Sequence, residues 1–115
     1  MKFMLMTYVN EAGWTKLTKD EQAKGMAAYQ AYTEALKQAG VLVGSNGLQP
    51  SSTATTVRLT NGKSQVLNGP YADTKEQLGG IFTIDVPDRD TAISWAERCP
   101  AVGHGVVEVR SLWGQ

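Results

Sequence analysis

The sequence has a single cysteine, Cys99, and a single histidine, His104, in 115 residues. A disulfide within the chain is therefore excluded, and so is a zinc or iron site built from several His and Cys ligands. A magnesium or calcium site made of carboxylates alone stays open, although no spacing of acidic residues indicates one. We accordingly expect neither a bound metal nor a cofactor.

The sequence also has no excess of charge and no long apolar run. Eleven basic and eleven acidic side chains give a formal net charge of zero, which argues against nucleic-acid binding and a polybasic membrane surface. The apolar start, residues 1–9, is too short for a secretion signal or a membrane span. We therefore predict a cytoplasmic protein with no nucleic-acid or membrane partner, and a single domain, residues 1–115.

A strand with two apolar faces is predicted at residues 2–9. Phe3 and Leu5 would face one way, and Met4, Met6 and Tyr8 the other. A single layer of helices covers only one face of a sheet, so the second apolar face needs another cover. A two-fold symmetric homodimer is the commonest way to provide it.

A long helix is predicted from the capping box Thr18-Lys19-Asp20-Glu21 to about Ala39. Gly40 supplies the left-handed stop, and Gly25 weakens the helix by about 1 kcal/mol relative to Ala while permitting a close contact. The residues at i, i+3/i+4 spacing, which predict its buried face, are Gln22, Met26, Tyr29, Thr33 and Leu36.

A β-hairpin is predicted around the two-residue turn Asn61-Gly62. The register sets Val57 opposite Val66 and Thr55 opposite Asn68, so Asn68 lies at the end of an apolar face. A polar side chain there needs a partner, or it costs about 1–3 kcal/mol. The partner is either the loop backbone, since Asn before Gly-Pro suits a turn, or a bound ligand.

The remaining elements complete an α+β pattern. We predict a short strand at 41–43, a turn at 44–47, a strand at 81–86, a helix from Asp88 or Asp90 to about Arg98, and a strand at 106–112. This order is typical of a ferredoxin-like antiparallel sheet with its helices on one face.

The stretch 68–80 is richer in polar groups than a connector between strands needs to be. Asp73 and Glu76 lie three residues apart, near Tyr71 and Lys75. If the loop turns helically, the two carboxylates share a side, and a carboxylate in a partly dry pocket becomes a usable proton shuttle. The alternative is a solvated loop whose polar groups satisfy its own backbone.

These considerations select two sets of candidate site residues around a pocket beneath this loop. The candidate catalytic residues are Asp73 and Glu76. The candidate ligand-binding residues are Tyr8, Arg58, Asn68, Tyr71, Lys75 and Arg110. Cys99 is disfavoured as a nucleophile, because it lies at the C-terminal end of a predicted helix. The partial negative charge of the helix dipole at that end destabilises a thiolate.

The stretch 68–80 closely resembles the signature of the DGPF-domain, or YCII-related, proteins. The family form reads Asp-Gly-Pro-Phe, then Ala or Thr, Glu, Thr-Lys-Glu and an apolar Gly-Gly tail. The likeness extends over nearly the whole chain. It includes residues 1–6, 39–41, 47–50, 55–58, 86–88, 95–96, 98–100 and 107–110.

The resemblance implies a dimeric α+β barrel of ferredoxin-like type, and a link to extracytoplasmic-function sigma factors. The broader group has a His–Asp pair proposed as its active site, but this chain has no histidine in its first strand or first helix. It also has Asn68, Tyr71 and Asp73 where the signature has Asp, Phe and Glu. The Asn68 change removes a titratable group. If the family Asp is an essential acid or base, this protein should be inactive or have a different activity, whereas if the Asp only forms a turn hydrogen bond, Asn68 can do the same.

Three functions follow as hypotheses. The first is a dimeric small-molecule-binding or regulatory accessory protein with its pocket near residues 68–80. The second is a cofactor-independent enzyme of lyase, isomerase or monooxygenase type with Asp73 or Glu76 as its base, by analogy of fold. The third is a protein-interaction module that contacts a sigma factor through an exposed apolar patch.

Overall fold

The computed structural model describes residues 1–114, which form a four-stranded sheet, a separate two-stranded hairpin and three α-helices. The strands are β1 (Lys2–Val9), β2 (Leu42–Gly47), β3 (Thr55–Thr60), β4 (Lys63–Asn68), β5 (Gln77–Asp85) and β6 (Gly105–Ser111). The helices are α1 (Glu11–Thr15), α2 (Lys19–Gln38) and α3 (Arg89–Arg98), and short 3-10 turns lie at Ser51–Thr53 and Pro100–Gly103.

The main sheet has the strand order β2-β5-β1-β6, and every neighbouring pair is antiparallel. This is the ferredoxin-like order, with the β3–β4 hairpin inserted between the second and third strands of the motif. The predicted α+β, ferredoxin-like fold is therefore confirmed.

The core lies between one face of the sheet and the helices α2 and α3. Phe3 and Leu5 of β1 point into it, while the alternate residues Met4 and Met6 lie half-buried on the opposite face. The other buried apolar residues of the core are Tyr32, Leu36, Phe82, Ile84, Val86, Ala92, Ala96, Cys99 and Ala101. The two-faced first strand is thus observed as predicted, with one face in the core and one face open.

Helix α2 begins at the predicted capping box. Thr18 Oγ1 accepts from the Glu21 N–H at 3.1 Å, the Glu21 carboxylate accepts from the Thr18 N–H at 2.9 Å, and Gly40 ends the helix with a φ of 71°. The predicted buried face is wrong in part, because Tyr32 is buried and Met26 is exposed. Within residues 1–114 no helix is both long and apolar enough to cross a membrane.

The predicted turn at residues 44–47 is wrong, because these residues belong to strand β2. Ser45 pairs with Phe82 and Gly47 pairs with Gly80, so long-range hydrogen bonding to β5 overrides the local turn preference of Gly-Ser-Asn-Gly. This pairing places the end of β2 beside the start of β5.

The β3–β4 hairpin, which we call the arm, extends away from the main sheet. Its register is as predicted, with Val57 opposite Val66 and Thr55 opposite Asn68. The radius of gyration is 16.1 Å, against about 13 Å for a compact chain of similar length. Val57, Leu59 and Val66 are 63 to 73% exposed, so the apolar face that Asn68 ends is open to solvent.

Candidate functional site

A cavity of about 1030 Å³ lies between the helix-covered face of the sheet and the helices α1 and α2. Its wall combines apolar and aromatic side chains with a few polar groups, which is typical of a small-molecule site. The lining includes the side chains of Thr7, Val9, Glu11, Trp14, Glu21, Met26, Tyr29, Leu48, Phe82 and His104, together with Gly25, Gly79 and Gly80.

Helix α1 forms one wall of this cavity. Asn10 caps it, with its side-chain oxygen accepting from the Gly13 N–H at 3.2 Å. Trp14 lies against Gly25 of α2, where a Cβ would come within 3.1 Å of the indole ring. The Gln22 side chain donates to the Trp14 carbonyl at 3.0 Å. Gly25 therefore permits the close contact expected of it, and the contact positions an aromatic wall.

A hydrogen-bond network holds α1 in place from the other side. The Glu11 carboxylate accepts from the Ser51 N–H at 2.8 Å, and the Glu11 N–H donates to the Gln77 side-chain oxygen at 3.0 Å. The Gln77 amide nitrogen in turn donates to the Thr74 carbonyl at 2.6 Å. Gln77, inside the 68–80 stretch, thus ties α1 to the loop at residues 69–76.

Helix α1 and this network were not predicted from the sequence. The local signal is Asn10 followed by Glu11, a capping residue before an acidic first turn. Five residues are too few for a stable helix in isolation, so the signal becomes visible only with its tertiary partners.

The Gly79-Gly80 pair forms part of the cavity floor, inside strand β5 rather than in a loop. A Cβ on Gly80 would lie 3.1 Å from the Asn46 carbonyl oxygen, and one on Gly79 would lie 3.1 Å from Val9 Cγ2. The register with β1 shifts here, so Gly79 is a bulge. The buried Thr7 hydroxyl donates to the Gly80 carbonyl at 3.2 Å and holds the bulge in place.

Tyr29 and His104 form a side-chain pair at the edge of the cavity, and neither was a predicted site residue. The Tyr29 Oη lies 3.3 Å from His104 Nε2, and the two rings meet edge to face with centroids 6.3 Å apart. Burial, with a smaller contribution from Cys99, raises the pKa of Tyr29 to about 12. A pair separated by 75 residues has no signal in the local sequence.

The two predicted catalytic carboxylates lie in the loop 69–76. Asp73 is exposed and Glu76 is half-buried, and the loop has no helical turn that would put them on one side. Thr74 Oγ1 donates to the Glu76 carbonyl, so part of the loop's polarity satisfies its own backbone. The prediction that Asp73 and Glu76 share one side required a helical turn, and this loop has none.

Four predicted ligand-binding residues lie on the arm or in this loop. The Arg58 guanidinium lies 5.8 Å from the centre of the exposed Tyr71 ring, a cation–π contact between the arm and the loop. Asn68 and Lys75 are exposed. The structure therefore brings Arg58 and Tyr71 together, outside the cavity.

The other two predicted residues lie on the open face of the sheet. Tyr8 alternates with Thr7 and so points away from the helices, as does Arg110, which pairs with Met4 across β1 and β6. Arg110 Nε lies 2.6 Å from the Glu108 carboxylate. Among the described residues that line the cavity, none belongs to either predicted set, and the roles of those eight residues stay predictions.

Cys99 is buried at the end of α3, and burial raises the pKa of its thiol. A neutral, enclosed thiol is a poor nucleophile, in line with the prediction from the sequence. Within residues 1–114 no group of three or more His, Cys, Asp and Glu side chains is placed to hold a metal ion.

Comparison with known proteins identifies the family of this chain. A relative from Rhizobium meliloti (strain 1021), an uncharacterised protein, is 32% identical over 96 residues, which is 84% of this chain and 77% of the relative. Among solved structures, 5-chloro-2-hydroxyhydroquinone dehydrochlorinase from Burkholderia phenoliruptrix AC1100, in complex with 2,5-dihydroxybenzoquinone, has a similar fold. The TM-score is 0.58 at 17% identity, with 100% of this chain and 96% of that chain covered. The family model of the YCII-related domain matches residues 1–114, and the chain belongs to that family.

Proposed function

We propose that this protein binds a small, neutral and largely apolar molecule in the cavity between α1, α2 and the sheet. The observation that carries the proposal is the cavity itself, whose volume of about 1030 Å³ is at the upper end for ligand sites. Trp14, Met26 and Phe82 supply apolar contact, and none of the described lining residues is Lys or Arg. A carboxylate or phosphate ligand would therefore find no lysine or arginine partner there.

We expect Trp14→Ala to weaken ligand binding by about tenfold or more, because it removes an aromatic wall worth at least about 1.4 kcal/mol. The measurement is calorimetric titration with hits from a thermal-shift screen of small, uncharged aromatic compounds, since binding raises the melting temperature by mass action. Trp113→Ala is the matched control: Trp113 is 100% exposed, whereas Trp14 is 38% exposed and lines the cavity.

The same titration separates the cavity from the predicted loop site. Asp73→Asn and Glu76→Gln remove carboxylates outside the cavity lining, so we expect each to change the affinity by less than about threefold. Loss of binding in these two variants with normal binding by Trp14→Ala would move the site to the loop. A screen with no hit would overturn the proposal and favour a protein partner, such as a sigma factor, at the exposed arm.

A cofactor-independent enzyme is the second candidate. The fold neighbour, a dehydrochlorinase solved with a hydroxylated quinone, supports it only as an example of the chemistry that this fold can host. A ligand identified in the screen would then be tested for turnover. An enzyme that uses Glu76 as its base would lose turnover in Glu76→Gln while keeping its affinity, whereas a binding protein would show no turnover in either form.

The proposal includes a homodimer formed through the open face of the sheet. Met4, Met6 and Ile81 put apolar side chains on that face, and the arm exposes Val57 and Leu59. Apolar side chains on an uncovered sheet face favour burial against a second copy, and a two-fold axis would allow each arm to reach its partner.

We expect light scattering at low micromolar concentration to give the mass of two chains, and Met6→Asp to give the mass of one. The carboxylate would be desolvated in the middle of the interface, which costs several kcal/mol. Met26→Asp makes the same change on the opposite side of the molecule and should leave the dimer intact. A wild-type monomer would leave the second apolar face of β1 unexplained and refute the dimer.

A further inference from the structure

The pair Tyr29–His104 connects the interior of the cavity with solvent. Tyr29 is half-buried and lines the cavity, and its hydroxyl lies 3.3 Å from Nε2 of the exposed His104. The nearby Thr33 hydroxyl donates to the Tyr29 backbone carbonyl at 2.8 Å and not to the Tyr29 phenol oxygen. The phenol oxygen is therefore available to a ligand. A proton that leaves a ligand through Tyr29 would therefore reach solvent at His104.

The other titratable groups in the described cavity lining already hold backbone groups. The Glu11 carboxylate accepts from the Ser51 N–H, and the Glu21 carboxylate accepts from the Thr18 N–H in the capping box. These hydrogen bonds fix α1 and the start of α2, so a change in either carboxylate would disturb the wall itself. Tyr29 and His104 are also titratable side chains of the lining, but they hydrogen-bond to each other. In contrast to the hydrogen bonds of the two glutamates, this bond holds no helix or strand in place.

The proton positions in the pair follow from the burial of Tyr29. Because burial raises the pKa of Tyr29 to about 12, the phenol keeps its proton near neutral pH and can donate it to His104 Nε2. The imidazole then has its own proton on Nδ1. The second lone pair of Tyr29 Oη stays free to accept a hydrogen bond from a hydroxyl group inside the cavity.

We propose that Tyr29 and His104 form a proton relay that binds and ionises an acidic hydroxyl group, a phenol or an enol, on the cavity ligand. The ligand O–H bond breaks and its proton passes to Tyr29 Oη, while the Tyr29 proton passes to His104 Nε2. The products are a ligand oxyanion that accepts a hydrogen bond from Tyr29 Oη and an imidazolium at His104, whose positive charge stabilises the oxyanion. The inference rests on the proposed ligand site, and it adds the chemical class of the ligand.

The test uses 4-nitrophenol, whose phenolate and phenol forms have different absorption spectra, at a pH where half of the free probe is ionised. We expect the probe bound to the wild-type protein to be more ionised than the free probe. In Tyr29→Phe and in His104→Gln the ratio of phenolate to phenol should fall by about tenfold, because an apolar cavity without cations disfavours the anion. Tyr71→Phe, at an exposed tyrosine outside the cavity, is the matched control.

The outcomes separate the relay from the ligand site. If both variants bind the probe with the wild-type ratio of phenolate to phenol, the relay is wrong and the ligand site stands. If the wild-type protein does not bind the probe, or if Trp14→Ala binds it as tightly as the wild type, the site and the relay fall together. Tyr29→Phe removes the hydroxyl that contacts the probe, whereas His104→Gln leaves that hydroxyl in place, so a lower ratio in His104→Gln reports the loss of the proton acceptor behind Tyr29 rather than a lost contact with the probe.

Discussion

We expect Gly105→Ala to lower the free energy of unfolding by about 3 kcal/mol, the upper end of the usual cost of overpacking. Gly105 opens strand β6 and pairs with Val9 of β1. A Cβ at this position would lie 2.0 Å from the Tyr8 carbonyl oxygen and 3.2 Å from Val9 Cα. These are backbone atoms of a central strand, so the clash is relieved only by separating β6 from β1.

The measurement is the midpoint of urea denaturation, with the slope checked for a change in two-state behaviour. Gly103→Ala is the matched control, two residues away, because a Cβ on Gly103 has no atom within 4 Å. That variant should stay within about 0.5 kcal/mol of the wild type. Equal midpoints for the two variants would show that β1 and β6 do not approach as closely at Gly105 as described.

The second large effect is expected at the centre of helix α2. Leu36 is fully buried in the cluster that joins α2 to the sheet, so Leu36→Ala should cost about 2–5 kcal/mol through lost transfer energy and the space left behind. Leu48→Ala removes the same atoms from a half-exposed side chain outside this cluster. It should cost less than about 1 kcal/mol in the absence of ligand.

Both variants are compared by urea denaturation at the same protein concentration, because a dimer makes the midpoint depend on concentration. If Leu36→Ala and Leu48→Ala lose equal stability, α2 is not anchored to the sheet through Leu36. An unanchored α2 would also remove the wall on which Tyr29 is positioned, so the stability test bears on the site as well.

Several elements were predictable because their signals are local. The capping box at Thr18 satisfies backbone donors within four residues, and the turn at Asn61-Gly62 has positive φ at both positions, which sets the register of the arm. The alternation in β1 predicted both of its faces. Each of these features depends on residues that are neighbours in the chain.

The errors arose where distant residues compete with local preference. Residues 44–47 read as a turn but pair with β5, and helix α1 is too short to form without Ser51 and Gln77. The hairpin itself was expected, but its separation from the main sheet has no local signal. The apolar and polar residues of the hairpin alternate in the same way whether or not one of its faces packs on a core.

The candidate site also combines features that have a local sequence signal with features that depend on distant residues. The family, the ferredoxin-like order of elements and the polar stretch at 68–80 could all be predicted from the amino-acid sequence, because composition, caps and short motifs lie in consecutive residues. The packing of the chain, which has no local signal, places the last residues of this stretch at the cavity, where Gln77 braces α1 and Gly80 lines the floor. It alone brought Tyr29 to His104, because a contact between a helix and a distant turn depends on how the helix packs on the sheet.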